Sequence, residues 1–297
     1  MFTGSIVALV TPMQKEGSID QKSLHNLIEW HIASGTDALV VTGTTGESAT
    51  LTTDEKYDII SRVVAQVAKR IPVIAGTGTA STQHTIELTR NAKKAGADAA
   101  LIITPYAIKP SQNGLYEHYK LIAEKVTLPI ILYNVPSRTA CDLLPDTIKR
   151  LAKIHNIIGI KEATGNPERA LEIAQLCGKS FSIYSGDDAT ALDLMLNGAK
   201  GVISVTSNVA PRKMHDFCKA ALIGDKTIAE KLHGELMPLH KKLFLETNPV
   251  PTKWALYKMG LIPEGIRLPL LPFDAKYHAE LQAALLEVGI LHEKAIT

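Results

Sequence analysis

The residue with the most evident chemical potential is Lys161, which sits in the run IIGIKEATG at 157–165. Isoleucines around Gly159 mark a strand buried on both faces. A buried ammonium costs several kcal/mol unless it is paired or loses its proton. A lysine at the end of such a strand therefore needs a reason. One reason is structural, a surface ion pair with Glu162. The other is chemical. A free lysine titrates at about 10.4, and desolvation or nearby cations lower that value. The neutral amine then attacks a carbonyl and forms a Schiff base, an electron sink for making a carbanion.

Other candidate groups lie in similar places. Tyr133 closes the run PIILYN and is followed by Arg138 in YNVPSR. A tyrosine there is either packing with a satisfied hydroxyl or a proton shuttle beside an imine. Arg138 is either a solvated charge or a fork that grips a substrate carboxylate with two parallel bonds. GTTGES at 43–48 is either a turn or a set of N–H groups and hydroxyls, at a helix N-terminus, that hold a small carboxylate. GTGTAS at 76–81 lacks the third glycine of a dinucleotide loop, and no phosphate-loop lysine follows any glycine cluster. The ten histidines contain no HExxH. His25 and His31 fall on different faces of a helix, and His233 and His240 read as a solvated pair. No metal site is expected.

The elements that position these groups repeat. ASGTDALVVTGT, KAGADAALIITP and LNGAKGVISVTS each read as a helix end, a glycine cap (Gly35, Gly96, Gly198) and a hydrophobic strand closing on Thr or Ser. The glycines are 61 and 102 residues apart, near two and three βαβ units of roughly 30 residues. Pro72 and Pro129 open two further strands, a position proline tolerates. The phase predicts eight strands near 4–10, 37–42, 72–77, 98–103, 129–134, 157–161, 181–185 and 201–205. Helical periods lie between them, as at 23–33 and at 54–70, where Thr53-Asp54 offers a cap. Continuous apolar strands mark a parallel sheet covered on both faces. The expected fold is a (β/α)8 TIM barrel over residues 1–224, with a doubly wound open sheet as the alternative. Residues 225–297 read as a C-terminal helical region with a proline-rich crossing at 262–273. In such a barrel the carboxyl ends of the strands carry the chemistry.

Composition excludes several classes. The chain has 297 residues, 45% of them hydrophobic, and a net charge of +2. No basic run with interleaved aromatics suggests nucleic acid. No apolar run approaches the roughly 18 residues of a membrane helix. Cys141, Cys177 and Cys218 form no CxxC pair, and the N-terminus lacks a signal-peptide pattern; a reduced, cytoplasmic setting is expected.

GTTGES, TPY, YNVPSRT, GIKEATG, SGDD and GVISV, in this order and spacing, resemble the dihydrodipicolinate synthases of the N-acetylneuraminate lyase superfamily. The resemblance runs from Met1 to about residue 290, and YNVPSRT with GIKEATG is its most specific part. It implies condensation of pyruvate with L-aspartate 4-semialdehyde, on the way to diaminopimelate and lysine. Lys161 would form the imine, and Tyr133 would shuttle protons with Thr44. Thr45 and the backbone at Gly186 and Ile203 would line the pyruvate site. Arg138 would take the semialdehyde carboxylate. No cofactor is implied, and a homotetramer, a dimer of tight dimers, is. Two readings compete with this one: a pyruvate aldolase acting on a sugar acid, and a barrel that binds an oxo acid without useful turnover. One departure stands out: the family's second tyrosine after TP, supplied across the dimer interface, is Ala107 here. Positions where lysine-regulated members hold their inhibitor also differ. His84, Ala80, Thr53 and Lys56 replace a glutamate, an asparagine and two histidines, while Ser48, Ala49 and Tyr106 remain.

Overall fold

A computed structural model describes residues 2–292. Eight strands form a closed parallel barrel in sequence order, β1 to β8, with β8 pairing back onto β1. The strands are β1 (Gly4–Ala8), β2 (Ala38–Val41), β3 (Val73–Gly76), β4 (Ala99–Ile103), β5 (Ile130–Asn134), β6 (Ile157–Glu162), β7 (Ser182–Ser185) and β8 (Gly201–Ser204). They fall within or one residue beyond the expected segments, and closure excludes the open doubly wound sheet.

Why the strands are apolar throughout follows from two buried layers. Ile6, Ala8, Ala38 and Val40 face an inner core inside the barrel. Their neighbours Val7, Leu9, Leu39 and Val41 face an outer core beneath the helices. Successive strand residues point to opposite faces, so both phases must be apolar. At the mouth of the barrel the same alternation decides where each polar side chain goes.

The helices are α1 (Gln21–Ala33), α2 (Thr53–Val67), α3 (Thr82–Ala95), α4 (Gln112–Lys125), α5 (Pro136–Thr139), α6 (Pro145–Leu151), α7 (Pro167–Cys177), α8 (Ala191–Leu196), α9 (Pro211–Leu222), α10 (Lys226–Lys242), α11 (Val250–Lys258) and α12 (His278–Glu287). The cap of α2 lies one residue earlier than expected. Thr52 accepts from the Glu55 N–H, and the Glu55 carboxylate accepts from the Thr52 N–H. This reciprocal box satisfies two otherwise unpaired donors, which a cap at Thr53 would not. The helix ends at Ala68, in the left-handed region at φ +47°.

The C-terminal helices lie against the barrel rather than apart from it. Ala229, Leu236, Trp254 and Leu281 belong to the same outer core as the strands. The last five residues of the expected helical region, 293–297, lie outside the described residues. Among the described residues, no helix is long and apolar enough to cross a membrane.

Candidate active site

Lys161 and Tyr133 are register partners on neighbouring strands β6 and β5. Ile160 faces the outer core. Lys161, the next residue, therefore turns inward, where Tyr133 belongs to the inner core. The Lys161 Nζ sits 4.5 Å from the Tyr133 ring centroid. Glu162 turns outward. It is buried, accepts from Asn134 Nδ2 at 3.2 Å and from the Thr164 N–H at 2.8 Å, and lies 3.5 Å from Arg169 Nε. The alternative of a surface Lys161–Glu162 pair is thus ruled out by geometry. The strand delivers the ammonium to the mouth and the carboxylate to the helix layer.

Burial dominates the electrostatics of the lysine. Lys161 is 5% exposed. Desolvation lowers its pKa to about 8, with the Arg138 cation helping and the Asp188 carboxylate opposing. Burial raises the Tyr133 phenol, while Arg138 and a hydrogen bond with Thr44 pull it back. Gly186 lies against the lysine stem. A Cβ there would come within 3.0 Å of Lys161 Cε and 2.5 Å of Ala163 Cβ, so only glycine leaves this space open.

Arg138 stands on α5, a single turn begun by Pro136 and closed by Ala140 in the left-handed region. Thr139 Oγ1 donates to Val135 O and Cys141 O, which fixes the turn. The guanidinium reaches Asn248 O at 3.4 Å. Asn248 Nδ2 in turn donates to Thr45 Oγ1 at 2.9 Å. Thr44 and Arg138 line a cavity of about 290 Å³, with Tyr106, Thr139, Asn248 and Pro249 among the other walls. Thr45, Gly186 and Ile203 do not line that cavity. Thr45 is turned to Asn248, Gly186 abuts Lys161, and Ile203 packs in the inner core with Tyr133.

Of the two readings of the GTTGES loop, the structure has the turn. No helix starts there; residues 44–50 are turns, and α2 begins only at Thr53. The Glu47 and Ser48 N–H groups donate within the loop, to Thr44 O and Gly43 O. They are not free for a carboxylate. Glu47 is buried, ion-paired with Lys253 of α11, and accepts from the Arg267 N–H at 3.2 Å. The C-terminal region thereby pins the loop that carries Thr44 and Thr45.

Two further residues were not legible in advance. Asn248 joins Thr45 to Arg138, and only its place in a proline-flanked turn marks it in the sequence. Asp188 was visible only as part of SGDD. The histidine expectations divide. His31 is buried against Thr36 and His25 is exposed, as expected of opposite faces. His233 and His240 are not a solvated pair. Their ring centroids are 5.2 Å apart and His240 is buried, because α10 packs on α8 and α9.

A closed (β/α)8 barrel with a desolvated lysine at its mouth, a phenol against it and an arginine above defines the class I aldolase type of lyase. The model of the dihydrodipicolinate synthetase family matches residues 1–288, and the chain belongs to that family. A 4-hydroxy-tetrahydrodipicolinate synthase of Pseudomonas aeruginosa is 57% identical over 291 residues, covering 98% of this chain and all of that protein. Among solved structures, the chloride-inhibited dihydrodipicolinate synthase of Acinetobacter baumannii, complexed with pyruvate, is 52% identical with a TM-score of 0.97. That match covers 98% of this chain and 100% of the other. The enzyme of Aquifex aeolicus is 47% identical with a TM-score of 0.96, again covering 98% and 100%.

Proposed function

We propose that Lys161, Tyr133, Thr44 and Arg138 divide between them the work of the family reaction. This chain is a lyase that condenses pyruvate with L-aspartate 4-semialdehyde to 4-hydroxy-tetrahydrodipicolinate, in diaminopimelate and lysine biosynthesis. The observation that carries the assignment is the buried Lys161 amine against the Tyr133 ring, the two residues in register on neighbouring strands.

The Lys161 amine attacks the pyruvate C2, and loss of water leaves a protonated imine. At pH 7 a pKa of about 8 leaves about a tenth of the amine neutral, against roughly 0.04% for a free lysine. A proton leaves the pyruvate methyl to give an enamine. Its carbon attacks the semialdehyde carbon, and the aldehyde oxygen takes a proton. The substrate amine then displaces Lys161 at the imine carbon, closing the ring and restoring the free lysine. Tyr133, which burial keeps protonated, and Thr44 pass these protons. Arg138 takes the semialdehyde carboxylate; Gly186 leaves space for pyruvate beside the lysine stem. Thr45 and Ile203 complete the pyruvate site. The A. baumannii relative in complex with pyruvate supports the choice of oxo acid.

The protein works as a homotetramer, a dimer of dimers. The exposed Tyr106 and Ile108 of the β4–α4 loop support an interface at the mouth side.

Borohydride reduction in the presence of pyruvate tests the assignment. Mass spectrometry should place a stable adduct on Lys161. An adduct at another lysine, or none, would remove the Schiff-base role. Product formation with aspartate semialdehyde, against a screen of sugar-acid aldehydes, separates this activity from the related aldolases.

A further inference from the structure

Within GTTGES the left-handed backbone position belongs to Glu47, at φ +57°, and to neither glycine. A residue with a Cβ is disfavoured in that region, and glycine is not. A glutamate held there is kept for its side chain. That side chain is buried, and so is its ion-pair partner Lys253 on α11. A buried ion pair is weak as a source of stability, because apolar residues of similar volume often do as well or better. Backbone strain and buried charge thus coincide at one residue, in the same turn as Thr44.

We propose that the Glu47–Lys253 pair is a positioning device for the reaction: Lys253 holds the GTTGES turn, through Glu47, in the shape that keeps the Thr44 hydroxyl in place for proton transfer. The inference rests on the proton-transfer role proposed for Thr44.

Each link in this chain is a direct contact. The Glu47 N–H donates to Thr44 O at 3.1 Å, which closes the turn on the residue that carries the hydroxyl. Thr50 holds the other side, its N–H and Oγ1 donating to Glu47 O at 2.9 and 3.0 Å. The Glu47 carboxylate ties the turn to the C-terminal region twice. Oε1 accepts from Lys253 Nζ, and Oε2 accepts from the Arg267 N–H at 3.2 Å. Arg267 is itself fixed, its guanidinium donating to Gly17 O at 2.8 Å, Thr50 O at 2.9 Å and Glu55 Oε2 at 2.8 Å. Neither charge is left over for substrate. Both Glu47 oxygens are occupied, and Lys253 is not among the walls of the cavity that Thr44 and Arg138 line. Glu47 does border that cavity, so its carboxylate has a way out of the protein when its partner is removed.

Lys253→Met keeps an apolar stem on α11 and removes the ammonium. The Glu47 carboxylate then turns toward the cavity, the turn relaxes, and Thr44 leaves its place. Misplacing a group that transfers protons costs on the order of 10- to 100-fold, so kcat should fall by at least about tenfold. The solvent isotope effect on kcat should rise, because proton transfer becomes more limiting. In a Thr44→Val background the same substitution should cost less than about twofold, since it acts through a hydroxyl that is no longer there.

If Lys253→Met fails to fold, Glu47→Gln combined with Lys253→Met takes its place. It buries no unpaired charge and keeps an acceptor for the Arg267 N–H, but it lacks the tie to α11. Its Tm should stay near that of wild type, as replacement of a buried pair allows, while kcat drops by a similar factor. A folded variant with wild-type kcat overturns the proposal. So does a loss that persists undiminished in the Thr44→Val background, which would make the pair a general structural tie. Failure of both variants to fold would say the same. A Thr44→Val enzyme as fast as wild type would instead remove the role of Thr44 on which the inference stands.

Discussion

At the residue scale, Arg138 is defined by what it lacks. It makes one long hydrogen bond, to Asn248 O, and no carboxylate is within ion-pair distance of it among the described residues. Its fork faces the cavity ready for a carboxylate. Arg138→Ala should therefore weaken semialdehyde use by the value of a desolvated, two-bond charged contact, roughly 2–5 kcal/mol in kcat/KM. Pyruvate imine formation should suffer much less. Its pH midpoint should rise, because the arginine cation now disfavours the Lys161 ammonium. Steady-state kinetics in each substrate separately, with trapping by pyruvate alone, checks this. Equal loss for both substrates would make Arg138 a structural residue. Lys161 and Tyr133 were legible in the sequence because each is a polar group that ends an apolar strand. Asn248 and Asp188 were not. The partners that give Asn248 its role lie 203 residues away at Thr45 and 110 away at Arg138, and only the fold brings them together.

At the element scale, the strands were legible because two buried layers force a continuous apolar signal. Loops carry no such constraint. GTTGES reads equally as a turn or as a helix N-terminus, and what decides is the Glu47–Lys253 pair, made across 206 residues of sequence. The β4–α4 loop shows the same limit. Ala107 sits at φ +71°, with the Ile108 N–H donating to Tyr106 O across it at 2.9 Å. This is a γ-turn of the strained hand, and a left-handed alanine costs about 1–2 kcal/mol. The turn holds residue 107 outward at the surface, where the resemblance expects a phenol that completes a neighbouring protomer's relay. Ala107→Tyr meets the same positive-φ backbone. It should raise kcat with the pyruvate KM unchanged, by up to the roughly 100-fold that one positioned acid–base group supplies. Solvent isotope effects would show whether proton transfer had become less limiting. A folded variant without gain would place the relay, or the slow step, elsewhere.

At the scale of the whole molecule, coupling between distant sites needs a ligand that binds one state better than another. The positions that correspond to the inhibitor site of lysine-regulated relatives are poor in acceptors here. His84 Nε2 lies 3.4 Å from Thr53 Oγ1, so α2 and α3 are joined by a long, weak contact where a carboxylate would sit. Lys56 is 8% exposed, burial lowers its pKa, and it has no carboxylate within ion-pair distance among the described residues. Glu47, the acceptor that a rearranged pocket would call on, is already held by Lys253 and the Arg267 N–H. Free L-lysine brings two ammonium groups, each costly to bury without a partner. A site that adds a cation and removes a carboxylate binds such a ligand weakly, and a weakly bound ligand transmits little coupling energy. L-Lysine titrated into the condensation assay should therefore leave the rate nearly unchanged through the sub-millimolar range. Strong inhibition there would mean that acceptors other than these residues complete the pocket. Restoring the acidic group with His84→Glu, together with Lys56→His, should increase the sensitivity of the folded enzyme to lysine.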